Sequence, residues 1–153
     1  MMDYAGRVAQ ADTYPKLLRL NAREHGNEIA LREKDFGLWR IFTWNDYQDR
    51  VRDFALGMVE LGLGRGDVIG IIGDNRPDWI AAEVATHAIG AMSLGLYRDV
   101  LDEEAAYLLN YGEARLVFAE DEEQVDKLLN LADRAPHLKH IVYSDPRGMR
   151  KYD

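Results

Sequence analysis

From Val68 to Ile72 the chain reads Val-Ile-Gly-Ile-Ile, a run without a polar side chain, with Gly66-Asp67 before it and Gly73-Asp74-Asn75 after it. Such a run predicts a strand covered on both faces, because an exposed face would alternate polar and apolar residues. A strand of that kind cannot stand at the surface. It needs parallel neighbours and helices on either side, so the question becomes whether the rest of the chain supplies them.

Downstream it does. Asp74-Asn75-Arg76-Pro77 predicts a helix start, and Trp79, Ile80, Val84 and Ile89 keep a helical period until Gly90. The pattern then predicts a strand over 92–97, a helix over 102–111, a strand over 115–119, a helix over 121–134 and a strand over 140–143. Together with 68–72 these make four parallel strands joined by right-handed helical crossovers. Upstream, 13–25 reads as an amphipathic helix with Thr13 as cap, Pro15 in its first turn and Gly26 past its end. Extended runs over 29–33 and 39–43, joined by Lys34-Asp35-Phe36-Gly37-Leu38, predict a hairpin. A helix capped by Thr43 or Asn45 follows, with Tyr47, Val51, Phe54, Ala55, Met58, Val59 and Leu61 on its apolar stripe and Gly62 closing it at positive φ. The expected fold is α/β: an N-terminal helix and β-hairpin, then a mostly parallel flavodoxin-like sheet with helices on both faces. The 153 residues fit one domain, divided into 13–62 (helix, hairpin, helix) and 67–144 (parallel βα units).

Charge and composition narrow the function. A net charge of −8 has the wrong sign for a module that neutralises phosphates, so nucleic acid is not expected as a partner. With no cysteine there is neither disulfide nor thiolate chemistry. Residues 1–7 hold no secretory apolar run and the chain has no Asn-x-Ser/Thr acceptor, which makes the cytoplasm the expected compartment.

Single motifs give little. None of the 13 glycines precedes a lysine, so no Walker loop is present. Gly62-Leu63-Gly64-Arg65-Gly66 precedes a strand instead of following one and reads as a connector. Gly73–Pro77 lies between a strand's carboxyl end and a helix's amino end. It could hold an anion with help from Arg76, or Asp74 or Asn75 could simply cap the helix. Asp121, in Glu120-Asp121-Glu122-Glu123, reads as a solvated helix start, not a phosphoacceptor. Ser93 lies inside an extended run, which argues against a nucleophile elbow with Asp121 and His137 or His140. Asp35-Phe36-Gly37 reads as a hairpin turn, and His87, His137 and His140 as packing or solvent-facing residues without a third ligand at metal spacing. Trp39, Trp44, Trp79, Tyr97, Tyr107 and Tyr111 are expected mostly on core faces.

The ordered set says more. Thr43-Trp44-Asn45-Asp46-Tyr47, Leu61 to Val68, Asp74-Asn75-Arg76-Pro77-Asp78-Trp79, Gly90-Ala91 leading to Leu96-Tyr97, Tyr107 to Ala114 and Val117-Phe118-Ala119 together resemble the start of AMP-forming acyl-CoA synthetases, most of all the long-chain fatty-acid branch. The resemblance spans about Tyr14 to Tyr143 and implies an incomplete N-terminal subdomain of an ATP-dependent fatty-acid:CoA ligase, with no complete catalytic domain. It implies ATP, magnesium, fatty acid and coenzyme A for the whole enzyme, and the remainder of the enzyme chain as partner. It also leaves room for a homo-oligomer and for peripheral membrane attachment.

The family's Ser/Thr/Gly-rich phosphate loop, its Tyr-Gly-x-Thr-Glu segment and its carboxyl-terminal hinge and lysine all lie later and do not occur here. No catalytic, cofactor-binding or metal residue is therefore assigned, and the expected role is support of the acyl and nucleotide cleft, inactive alone. Gly95-Leu96-Tyr97-Arg98-Asp99 departs from relatives that carry prolines around the aliphatic-tyrosine pair. Arg98 and Asp99 read either as a loop near the cleft or as an exposed turn. The end at Asp145–Asp153 reads as a polar stub where such a sheet would add a helix. The rival reading is a stand-alone flavodoxin-like module binding an anion or small ligand at Gly73–Pro77.

Overall fold

The computed structural model describes residues 3–152. It opens with a helix that hydropathy patterning did not predict, α1 (Tyr4–Gln10), capped by Asp3 and without a buried residue. Tyr4, Ala5, Val8 and Ala9 recur at helical spacing, but over only 7 residues, too short a run for the period to stand out. The helix is held by polar contacts, Tyr4 Oη donating to Asn21 Oδ1 at 2.7 Å and Arg7 pairing with Glu24 at 3.0 Å. Helix α2 (Tyr14–His25) starts as expected, with Thr13 accepting from the Lys16 amide and Pro15 in the first turn.

Strands β1 (Ile29–Asp35) and β2 (Leu38–Thr43) form an antiparallel hairpin. The expected five-residue connection contracts to two residues. Phe36 and Gly37 both take positive φ (47° and 83°), the geometry a two-residue turn needs to match strand twist. Helix α3 (Trp44–Glu60) begins with a capping box, the Thr43 hydroxyl taking the Asp46 amide while the Asp46 carboxylate takes the Thr43 amide. Of its expected stripe Val51 and Met58 are buried, whereas Val59 and Leu61 stay exposed. Gly62 closes it at φ 77°.

The parallel sheet follows: β3 (Val68–Ile72), β4 (Met92–Leu96), β5 (Ala114–Ala119) and β6 (His140–Tyr143), in the order β4-β3-β5-β6. Asp67 ties the connector before β3 to β5, accepting from Arg115 at 2.7 Å and from the Gly64 amide at 2.8 Å. The Arg115 hydrogen bond, then the Gly64 amide, hold the Asp67 carboxyl below its ordinary range against the opposing effect of burial.

The apolar run of β3 serves two cores. Ile69 and Ile71 join Leu116 and Phe118 of β5 beneath α3 and α4 (Pro77–Ala88). Ile72, with Val117 and Ala119, faces the opposite layer of α5 (Asp102–Tyr111) and α6 (Glu122–Asn130). Alternate residues of one strand thus bury in opposite directions, which is why no polar position interrupts the run. The helix expected over 121–134 ends at Asn130 and tightens into a 3-10 turn, Ala132–Arg134. Pro136 restricts Ala135 to extended backbone, so the helical path cannot continue through it. Nor is the chain after β6 a loose polar stub. A second 3-10 turn, Met149–Tyr152, buries Met149 in the α5–α6 core, and Lys151 bridges Glu122 and Asp126 at 2.7 and 2.9 Å.

Candidate functional site

In parallel α/β sheets ligands gather outside the carboxyl ends of the strands. Here those ends hold Gly73–Pro77 after β3, Tyr97–Asp99 after β4 and Glu120 after β5. Gly73 sits at φ 146°, and a Cβ there would lie 2.5 Å from Glu120 Cβ, so the close approach of the two segments requires glycine.

Helix capping does not explain Asp74 or Asn75. The N-cap of α4 is Arg76, which makes no side-chain cap bond, and Pro77 at the first turn removes one orphan donor. The Asp74 carboxylate instead accepts from Arg98 Nη1 at 2.9 Å, and its amide donates to Glu120 Oε2 at 2.5 Å. Arg76 donates through Nε to Glu120 Oε1 at 2.5 Å and through Nη1 to Glu33 Oε1 at 3.1 Å, linking hairpin and sheet. Arg98 also reaches Glu123 at 3.5 Å. Glu33 and Glu120 are the sheltered members, their side chains 14% and 12% exposed.

The electrostatics agree with this pairing. Burial lowers the Arg76 pKa, but hydrogen bonds to Glu120 and Glu33 outweigh it and raise it above its ordinary value. The Asp74 charge, the largest cause, raises Arg98. Each guanidinium is already neutralised by carboxylates, and no free cation in this network waits for an anion. Among the described residues no group of three or more His, Asp or Glu could hold a metal ion. The guanidiniums of Arg76 and Arg98 are thus engaged by carboxylates at the strand ends.

Beside the network lies a cleft of about 460 Å³ between hairpin and sheet, with Glu33, Arg76, Glu120 and Arg147 on its walls. A second, apolar recess of about 300 Å³ lies where α3 meets β5 and β6, lined by Phe54, Met58, Leu116, Phe118 and Val142.

The other motifs resolve simply. Ser93 is a β4 residue, and its hydroxyl lies 3.0 Å from His87 Nε2, while His87 stacks on Tyr14 with ring centroids 6.1 Å apart. The pairing of Ser93 with Asp121 and His137 or His140 does not form. Asp121 caps α6 by accepting from the Gln124 amide. Among the six aromatics, Trp44 and Trp79 pack against the core, but Trp39, Tyr97, Tyr107 and Tyr111 are exposed, contrary to expectation. Period alone cannot tell a core face from an uncovered one. Glu120, the hub of the network, was missed because its acidic neighbourhood reads as a helix start; only its place at the end of β5 could have marked it.

This fold, a hairpin and helices feeding a four-stranded parallel sheet whose crevice opens at the strand ends, is that of the N-terminal domains of adenylate-forming enzymes. The N-terminal domain of FACL13 from Mycobacterium tuberculosis superposes with a TM-score of 0.80 at 14% identity, covering 93% of this chain and 36% of that one. The anthranilate CoA ligase AuaEII, in complex with anthranoyl-AMP, gives 0.78 at 21% identity over 85% of this chain and 24% of its own. Family comparison matches the AMP-binding enzyme family over residues 18–153, and the chain belongs to that family. Among curated relatives, the long-chain-fatty-acid–CoA ligase ACSBG2 of Xenopus laevis is 31% identical over 134 residues, 87% of this chain. The human ligase ACSBG1 is 29% identical over 124 residues, 80% of this chain. The chain spans only 18% and 17% of those two relatives' lengths.

Proposed function

We propose that these residues form the N-terminal part of an ATP-dependent, AMP-forming long-chain fatty-acid:CoA ligase, whose cleft they support without performing its chemistry. Fatty acid, ATP, magnesium and coenzyme A are then ligands of the whole enzyme, and the remainder of that enzyme is the partner of this chain. One observation carries the division of labour: at the strand ends, where a nucleotide would sit, Arg76 and Arg98 are bound to Glu120, Glu33 and Asp74. This arrangement makes a rigid wall and leaves no phosphate cradle. It also argues against the rival anion-binding module at Gly73–Pro77, since binding an anion there would first require breaking these ion pairs. A fatty-acid-dependent ATP–pyrophosphate exchange assay on the 153-residue chain tests the proposal. No exchange above background is expected; turnover would overturn it. Separately, phosphate binding to the chain, measured by calorimetry and lost in Arg76→Met, would revive the module.

A further inference from the structure

We propose that the free edge of β4 is a self-association surface, on which a second copy of this chain pairs antiparallel about a two-fold axis to join the two four-stranded sheets. Among the described residues strand β4 pairs with one neighbour, β3, and no strand lies on its other side. The Met92 amide bonds to Asp67 O, so Met92, Leu94 and Leu96 turn their backbone groups toward β3, while Ser93 and Gly95 turn theirs outward.

Natural edge strands are blunted by charge, proline, a bulge or short length. Met-Ser-Leu-Gly-Leu has no charge or proline, and its register against β3 is unbroken. The opposite edge differs. Strand β6 has only 4 residues, and the chain beyond it is fastened back, with Ser144 and the Asp145 amide both donating to Glu120 O. Apolar side chains are exposed at both ends of the strand: Met92 is 56% exposed and Tyr97, just past Leu96, is 88% exposed.

Charge selects the occupant. At the amino end of β4, Arg65 lies along Gly90, exposed and without an ion-pair partner among the described residues. At the carboxyl end, Asp99 is 95% exposed and only 3.9 Å from Arg98 Nε. A two-fold axis at Leu94 sets Ser93 against Gly95 of the second copy, so that each exchanges both backbone hydrogen bonds. It also brings Arg65 of each copy toward Asp99 of the other. A parallel arrangement would set like ends together and pair neither charge.

Sedimentation equilibrium of the 153-residue chain over a dilution series tests this. A monomer–dimer equilibrium is expected, weakened by salt. Asp99→Arg or Arg65→Asp alone is expected to raise the dissociation constant about tenfold. The double variant restores it. Ser93→Pro removes an outward amide that β3 does not use and is expected to abolish the dimer with circular dichroism unchanged. If Ser93→Pro unfolds the chain, the charge exchange decides alone. A chain monomeric throughout, a dimer indifferent to a folded Ser93→Pro, or a double variant no tighter than the singles would overturn the proposal.

Discussion

The hairpin and the parallel sheet carry apolar residues of the same types, yet they are stabilised by different physics. In β3, Ile69 and Ile71 are fully buried, whereas in the hairpin Leu38, Trp39 and Ile41 are all exposed. The sheet rests on burial between two helical layers. The hairpin rests on its Phe36-Gly37 turn, the Thr43–Asp46 capping box and a charged seam of Glu33 with Arg76 and Arg40. Strand pairing alone therefore says little about what a region contributes to stability; what covers the strand decides it.

The strongest way to break this contrast is to empty the sheet's core. Ile71→Ala is expected to cost about 2–5 kcal/mol by lost transfer energy and a residual cavity, read by urea denaturation. Next comes the seam. Arg76→Met leaves Glu120 sheltered without its guanidinium, and a loss of about 1–2 kcal/mol is expected in the same measurement. Thr43→Ala removes the side-chain half of the α3 cap and should cost about 1 kcal/mol, with the hairpin loosening first.

Alkaline pH supplies a milder test. Burial, helped by the Glu83 charge, pushes the Tyr47 hydroxyl up to about 12. Its folded pKa is raised, so this contribution is complete below the ordinary tyrosine value of about 10 and disappears as pH rises toward the folded value. A Tyr47→Phe variant should lack that part of the alkaline loss of stability. The smallest effect sharpens the comparison most. Ile41→Ala, on the exposed hairpin face, is expected to stay within about 0.5 kcal/mol of the parent, against several for Ile71→Ala.

Much of the sheet was legible because its signal is redundant: an apolar run, glycines in the connectors and alternating helical periods all require the same topology for β3 to β6. Helix α1 was not legible, since it is only 7 residues long, buries none of them and is held by polar contacts. The exposed aromatics were misjudged for a related reason: Tyr107 and Tyr111 keep a helical spacing, but nothing covers the face they occupy. The site was legible only in part. Gly73–Pro77 stands at the crevice as the strand–helix junction implied, whereas the long-range partners of Asp74 and Arg76, Arg98, Glu120 and Glu33, depend on how three strand ends and the hairpin converge. Local spacing does not encode that.

Hydrogen–deuterium exchange on the intact chain tests the central contrast most directly. Amides of β3 and β5 should exchange only through global unfolding, while those of β1 and β2 should open locally, faster in high salt and in Arg76→Met. Equal protection of hairpin and sheet, insensitive to salt and to Arg76, would contradict it.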